Sequence, residues 1–121
     1  EQRIDVPPDC RILYTVPPNA RKPGDPRLAA FLDLLSAAPE RIVYLSTTGV
    51  YGDRDGDRVT EESPPAPGTA RAERRLAAEQ LLAAWCEQQG TKCYVLRVPG
   101  IYGPDRIPRA ADVIAGRPVR S

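Results

Sequence analysis

Three groups of residues in this 121-residue chain have the types and spacing to do chemistry. The apolar run from Arg41 to Leu45 empties into Ser46, Thr47 and Thr48, then Gly49, Tyr51 and Gly52. Hydroxyls in such a place can orient a carbonyl or hydroxyl of a ligand, or can simply satisfy loop backbone. Arg71 and Arg75 stand four residues apart in a segment of helical periodicity. A pair of guanidinium forks suits a phosphate or carboxylate, but a group with a pKa above ~12 has no proton to exchange near neutrality. The third group is Val98, Pro99, Gly100 and Ile101, followed by Tyr102; a fixed turn with a bare glycine lets backbone approach a ligand closely. Histidine is absent, which removes the commonest general base and the commonest zinc ligand together. Cys10, Cys86 and Cys93 lack paired metal-ligand spacing. The acidic run from Asp53 to Asp57 has Arg58 and Pro64 where a calcium loop needs Gly and Glu. No metal is expected, and that run reads as a solvated turn.

The elements that must position these groups can be read from periodicity. A short run rich in β-branched residues that ends in polar atoms is how a buried parallel strand meets a ligand crevice. Arg41 to Ser46 therefore reads as the second strand. Cys10 to Val16 is the first, stopped by Pro17 and Pro18. A helix starts at Asp25, a capping residue, with Pro26 in its first turn. Leu28, Phe31, Leu32 and Leu35 give it one apolar face, and Pro39 closes it. Val50 to Gly68 is a long polar loop of the kind that is functional or mobile. Thr69 to Gln89 is the second helix, ended by Gly90. Lys92 to Val98 is the third strand, Pro99 to Pro104 a sharp turn at its tip, and Ala110 to Ala115 a short helix.

Strands alternating with helices predict a parallel sheet with right-handed crossovers. Nothing in the sequence covers the outer edge of the first strand, and an open hydrophobic edge invites aggregation. Between a small complete α/β domain and a piece of a larger doubly wound fold, the second is preferred. Along the second helix, positions 71, 75, 78, 82 and 85 form one stripe. Ala78, Leu82 and Trp85 should face the sheet, which carries Arg71 and Arg75 toward the strand tips. The alternative is a solvated Arg75–Glu79 pair, worth only a few tenths of a kcal/mol.

Composition narrows the function classes. Net charge is +1 with the signs interspersed, so no footprint for nucleic acid or an anionic membrane is visible. No apolar stretch approaches the ~18–20 residues of a membrane span, and no signal-peptide pattern opens the chain. Three unpatterned cysteines read as reduced thiols of a cytoplasmic protein. The expected partner is a small molecule, and a homodimer is left open.

Taken in order, Leu45 to Asp53, then Glu61 with a proline cluster, then Arg75 to Leu82, then Leu96 to Pro104 resemble the extended short-chain dehydrogenase/reductases. More closely, they are similar to atypical members of the NAD-dependent epimerase/dehydratase family. The match runs from about Ile12 to about Pro104. It implies an α/β, Rossmann-like doubly wound parallel sheet, of which this chain supplies the fourth to sixth strands with their helices. The implied cofactor is NAD or NADP. The family's glycine-rich pyrophosphate loop is absent, so residues 1–121 are expected to be a partial NAD(P)-binding domain, without the strands around that loop and without most of the substrate-binding part. By resemblance, Thr47 takes the place of the family's catalytic Ser/Thr. Thr15, Val16 and Pro17 match the segment that passes the adenosine ribose. Leu45 and Ser46 line the cofactor, and Val98, Pro99, Gly100 and Ile101 meet the nicotinamide carboxamide. The family's Tyr-x-x-x-Lys pair is replaced by Arg71 and Arg75. Arg75 could still hold a ribose, whereas Arg71 cannot relay a proton. Tyr51 and Tyr102 are the nearest substitutes, though each is more often a packed ring. The resemblance thus implies an NAD(P)-dependent oxidoreductase or epimerase acting on a sugar nucleotide or similar polar metabolite. The alternative is a non-catalytic nucleotide-binding or protein-interaction module.

Overall fold

In the computed structural model, which describes residues 2–107 and 109–118, three parallel strands lie side by side in the order of the chain. They are β1 (Arg11–Tyr14), β2 (Arg41–Thr47) and β3 (Lys92–Val98), with β2 in the centre. Helix α1 (Pro26–Leu34) joins the first pair, α2 (Ala70–Gln89) the second, and α3 (Ala110–Ile114) follows β3. Register is continuous: Arg11 to Tyr14 lie against Arg41 to Tyr44, and Arg41 to Thr47 lie against Lys92 to Val98. The α/β, Rossmann-like parallel arrangement expected from the sequence is what the chain adopts.

Local chemistry sets the element ends. Asp25 Oδ1 accepts from the Leu28 amide at 3.1 Å and starts α1. Thr69 Oγ1 does the same for the Ala72 amide at 3.2 Å at the start of α2. Gly90, at φ 71°, turns α2 out in the left-handed conformation. Two expectations need correction. Helix α1 stops at Leu34, well before Pro39, because Leu35 turns extended and bridges Ile4 in a short parallel pairing. The first strand is confined to Arg11–Tyr14, so Thr15 and Val16 already belong to the exposed loop.

One core lies on one face of the sheet. Leu28, Leu32 and Leu35 from α1 and its end, Ala78, Leu82 and Cys86 from α2, and Tyr14, Ile42 and Tyr44 from the strands pack together, with Val6 beside them. The opposite face carries Leu13, Tyr94 and Leu96, all exposed. The stripe read for α2 is also corrected. Its inward residues are Ala72, Ala78, Glu79, Leu82 and Cys86, while Arg71 is exposed and Trp85 only partly buried. Trp85 still packs against the core, as Ala78 and Leu82 do, and the residue that departs from the stripe is Arg71.

Candidate functional site

The strand tips bring the sequence-predicted residues to one edge. Thr47 lies opposite Val98, and Ser46 opposite Arg97, so the hydroxyl cluster and the bend at Pro99 border the same crevice. Thr15, Val16 and Pro17, all exposed, follow directly on the Tyr14–Tyr44 pair at the neighbouring tip. Pro99, Gly100 and Ile101 are exposed and Leu45 half-buried. This is the place where open α/β sheets accept ligands, beyond the carboxyl ends of the strands.

The hydroxyls have different employments. Thr47 Oγ1 accepts from the Gly49 amide at 3.2 Å, capping a single 3-10 turn over Thr48–Tyr51. Among the described residues its own O–H has no acceptor, which leaves it able to donate to a ligand. Ser46 is buried and donates to Glu79 Oε1, so it braces the sheet from below and faces away from the crevice.

Arg75 points inward, and from Nη1 it donates to the Leu45 carbonyl at 2.8 Å and to the Tyr44 hydroxyl at 3.1 Å. The surface Arg75–Glu79 pair weighed from spacing does not form. Arg71, one turn earlier, is exposed, whereas Arg75 is half-buried. Tyr51 is buried with the Arg97 guanidinium 4.8 Å from its ring centroid. Tyr102 is 79% exposed beyond β3. Burial raises the Tyr44 hydroxyl above its usual pKa, although Arg75 pulls it back in part.

Sequence reasoning missed Glu79 and Arg97. Glu79 is 5% exposed, and Arg97 binds it with both Nε and Nη2, the shortest contact being 2.8 Å. That bond holds the guanidinium further above its ordinary pKa, against burial. The signal was present: an acidic residue between Ala78 and Leu82 sits on the buried stripe and needs a cation, which a charged residue at the end of an apolar strand can supply.

The long loop is anchored too. Gly52, at φ 74°, lets the chain pass so close to Ala66 that a Cβ there would lie 2.0 Å from its carbonyl oxygen. Arg54 donates from Nε to the Tyr51 carbonyl at 3.0 Å and from Nη2 to the Pro64 carbonyl. Asp53 accepts from the Asp55 amide at 2.9 Å, the turn expected of that acidic run. A cleft of about 710 Å³ runs between this loop and the free side of β3, lined by Thr48, Tyr51, Arg58, Glu61, Leu96 and Arg97 among others.

Residues 24–116 match the NAD dependent epimerase/dehydratase family. Protein YeeZ of Escherichia coli K12 is 35% identical over 103 residues, covering 80% of this chain and 36% of that protein. A dTDP-glucose 4,6-dehydratase of Streptomyces niveus is 37% identical over 68 residues, 56% of this chain and 20% of the dehydratase. Among solved structures, RMD from Pseudomonas aeruginosa complexed with NADPH superposes with a TM-score of 0.68 at 24% identity, over 90% of this chain and 41% of that one. UDP-glucuronic acid 4-epimerase from Bacillus cereus in complex with NAD gives 0.57 at 22%, over 75% and 32%. These superpositions establish the fold, and the chain spans between 20% and 41% of the length of these relatives. It belongs to the NAD dependent epimerase/dehydratase family.

Proposed function

We propose that this chain is the central part of a dinucleotide-binding domain in an NAD(P)-dependent oxidoreductase or epimerase acting on a sugar nucleotide or similar polar metabolite. The observation that carries the reading is the in-register pairing of Thr47 with Val98, which sets a donor hydroxyl beside a backbone turn at the edge of a parallel sheet. The exposed second face of that sheet supports the partial-domain reading, because parallel sheets are covered on both faces. The free thiols suit a cytoplasmic setting.

The residues present fit a dinucleotide. Thr15, Val16 and Pro17 form an exposed wall at one tip, Leu45 with the backbone of Ser46 the floor, and Val98, Pro99, Gly100 and Ile101 the backbone at the next tip. Both bonds of Arg75 leave from Nη1, so Nε and Nη2 remain for a ribose. Arg71, at the rim, suits an anionic substrate group. When bound, the nicotinamide supplies the hydride acceptor or donor. Thr47 orients the reacting oxygen through its O–H. Tyr44 and Tyr51 are buried, one bonded to Arg75 and the other under Arg97, which leaves water or Tyr102 to move the proton.

A second reading has its own support. With Arg at both helix positions and Arg75 bracing β2, the site would bind a nucleotide without turning anything over. Hydride transfer by the full-length protein, with NAD and NADP over a panel of sugar nucleotides, separates the two. On the enzymatic reading, Thr47→Ala loses about 10- to 1,000-fold in turnover while cofactor affinity is kept. Cofactor binding with no turnover in the wild type supports the module instead.

A further inference from the structure

We infer that Glu79 is a positioning residue whose buried carboxylate fixes both walls of the crevice and the turn between them. Ser46 and Arg97 are partners across the β2–β3 ladder. Glu79, reaching down from α2, accepts from the Ser46 hydroxyl and from both Nε and Nη2 of Arg97. The next residue along each strand is one that the proposed function uses: Thr47 after Ser46, and Val98 after Arg97. A bidentate Arg–carboxylate pair fixes orientation as well as distance, and a buried charge cannot leave its partner without being stranded.

The contacts continue outward. Arg97 lies over the Tyr51 ring at 4.8 Å, and Tyr51 closes the 3-10 turn that Thr47 caps. The Tyr51 carbonyl accepts from Arg54, which also holds the Pro64 carbonyl of the long loop. One carboxylate on α2 therefore governs two strand tips, a turn and the root of a loop. Glu79→Gln keeps an acceptor for Ser46 but removes the counter-charge, so Arg97 swings toward water and abandons Tyr51.

The consequence for turnover rests on the proposed function; the consequence for local order does not. Amide hydrogen exchange on the full-length protein is therefore the primary test. In Glu79→Gln, the bonded amides of the turn, Gly49 and Gly52, and the ladder amides at the end of β3, residues 96–98, are expected to exchange about tenfold faster or more. Those of residues 28–34 and 42–45 should stay within about twofold of wild type. A folded variant with unchanged exchange at the tips, or with acceleration spread evenly over sheet and helices, overturns the inference and leaves Glu79 as general packing.

If Glu79→Gln does not fold, Ser46→Ala and Arg97→Lys carry the test. The first should loosen the 48–52 turn alone, and the second should loosen residues 96–98 together with that turn. Identical patterns from the two would overturn it. Where the wild type turns over, Glu79→Gln should lower kcat about tenfold or more while cofactor Kd moves less than about threefold. A wild type without turnover counts against the proposed function and leaves the exchange result as it stands.

Discussion

At position 75 a guanidinium holds the end of β2 by donating from one nitrogen to the Leu45 carbonyl and the Tyr44 hydroxyl. An arginine does this where a lysine could not do as much, because its remaining nitrogens stay free in a fixed plane. A second single-residue effect concerns Cys86, buried at the lower end of α2. Burial pushes its thiol from 9.0 up to about 12, with Cys93 close enough to add to the rise. A pKa raised in the folded state contributes stability that is fully present below the unfolded value and is lost as pH rises through the folded one. The thermal midpoint should therefore fall between about pH 9 and about 12, and fall less steeply in Cys86→Ala. Tyr14 and Tyr44, also raised by burial, act in the same direction and keep part of the slope in the variant. Equal slopes with and without the thiol would show that Cys86 is not a source of the alkaline loss.

The elements were legible where one periodicity dominated and illegible where tertiary contacts decided. Strands β2 and β3 and helix α2 could be read to within a residue, because β-branched runs, a threonine cap and a terminal glycine act locally. The early end of α1 could not, since it depends on Ile4, thirty-one positions away in the chain, pairing with Leu35. Thr47 and its neighbours were legible as a site from their place after a strand. The roles of Ser46 and Glu79 were not, because a side chain that braces from below uses the same atoms as one that meets a ligand. The composition of the long loop predicts a functional or mobile segment, and its root is fastened. Gly52 is the fastening: its positive φ and the Ala66 carbonyl both exclude a side chain. Gly52→Ala should therefore detach the loop from the 3-10 turn. Limited trypsin digestion should then cut after Arg54 and Arg58 about tenfold faster or more, with far-UV circular dichroism unchanged. Cleavage at the wild-type rate would mean that Arg54 alone suffices to hold the loop.

Taken as a whole, the molecule has a finished side and an unfinished one. The helix-covered face holds Tyr44, Ile42 and Leu28 wholly out of water, whereas the other presents Leu13, Tyr94 and Leu96 at 65%, 47% and 49% exposure. Arg41 covers little of it, lying 5.8 Å from the Tyr94 ring. Apolar area of this kind favours burial at about 25 cal/mol per Å², and an uncovered patch is a standing invitation to associate. No helix among the described residues is long and apolar enough to cross a membrane, so insertion as a spanning helix does not account for the patch. The 121-residue chain on its own should consequently bind a hydrophobic dye and self-associate in a concentration-dependent way. Leu13→Thr combined with Leu96→Thr should cut dye fluorescence by about half or more. Threonine, being β-branched, suits a strand, and neither leucine belongs to the packed core, so the circular dichroism spectrum should not change. In the full-length protein of the proposed function the same face would be covered, and the same dye should find little to bind. Dye binding in the short chain that ignores both substitutions would place the exposed apolar surface elsewhere, and with it the case that this sheet is one layer of a larger domain would lose its main physical support.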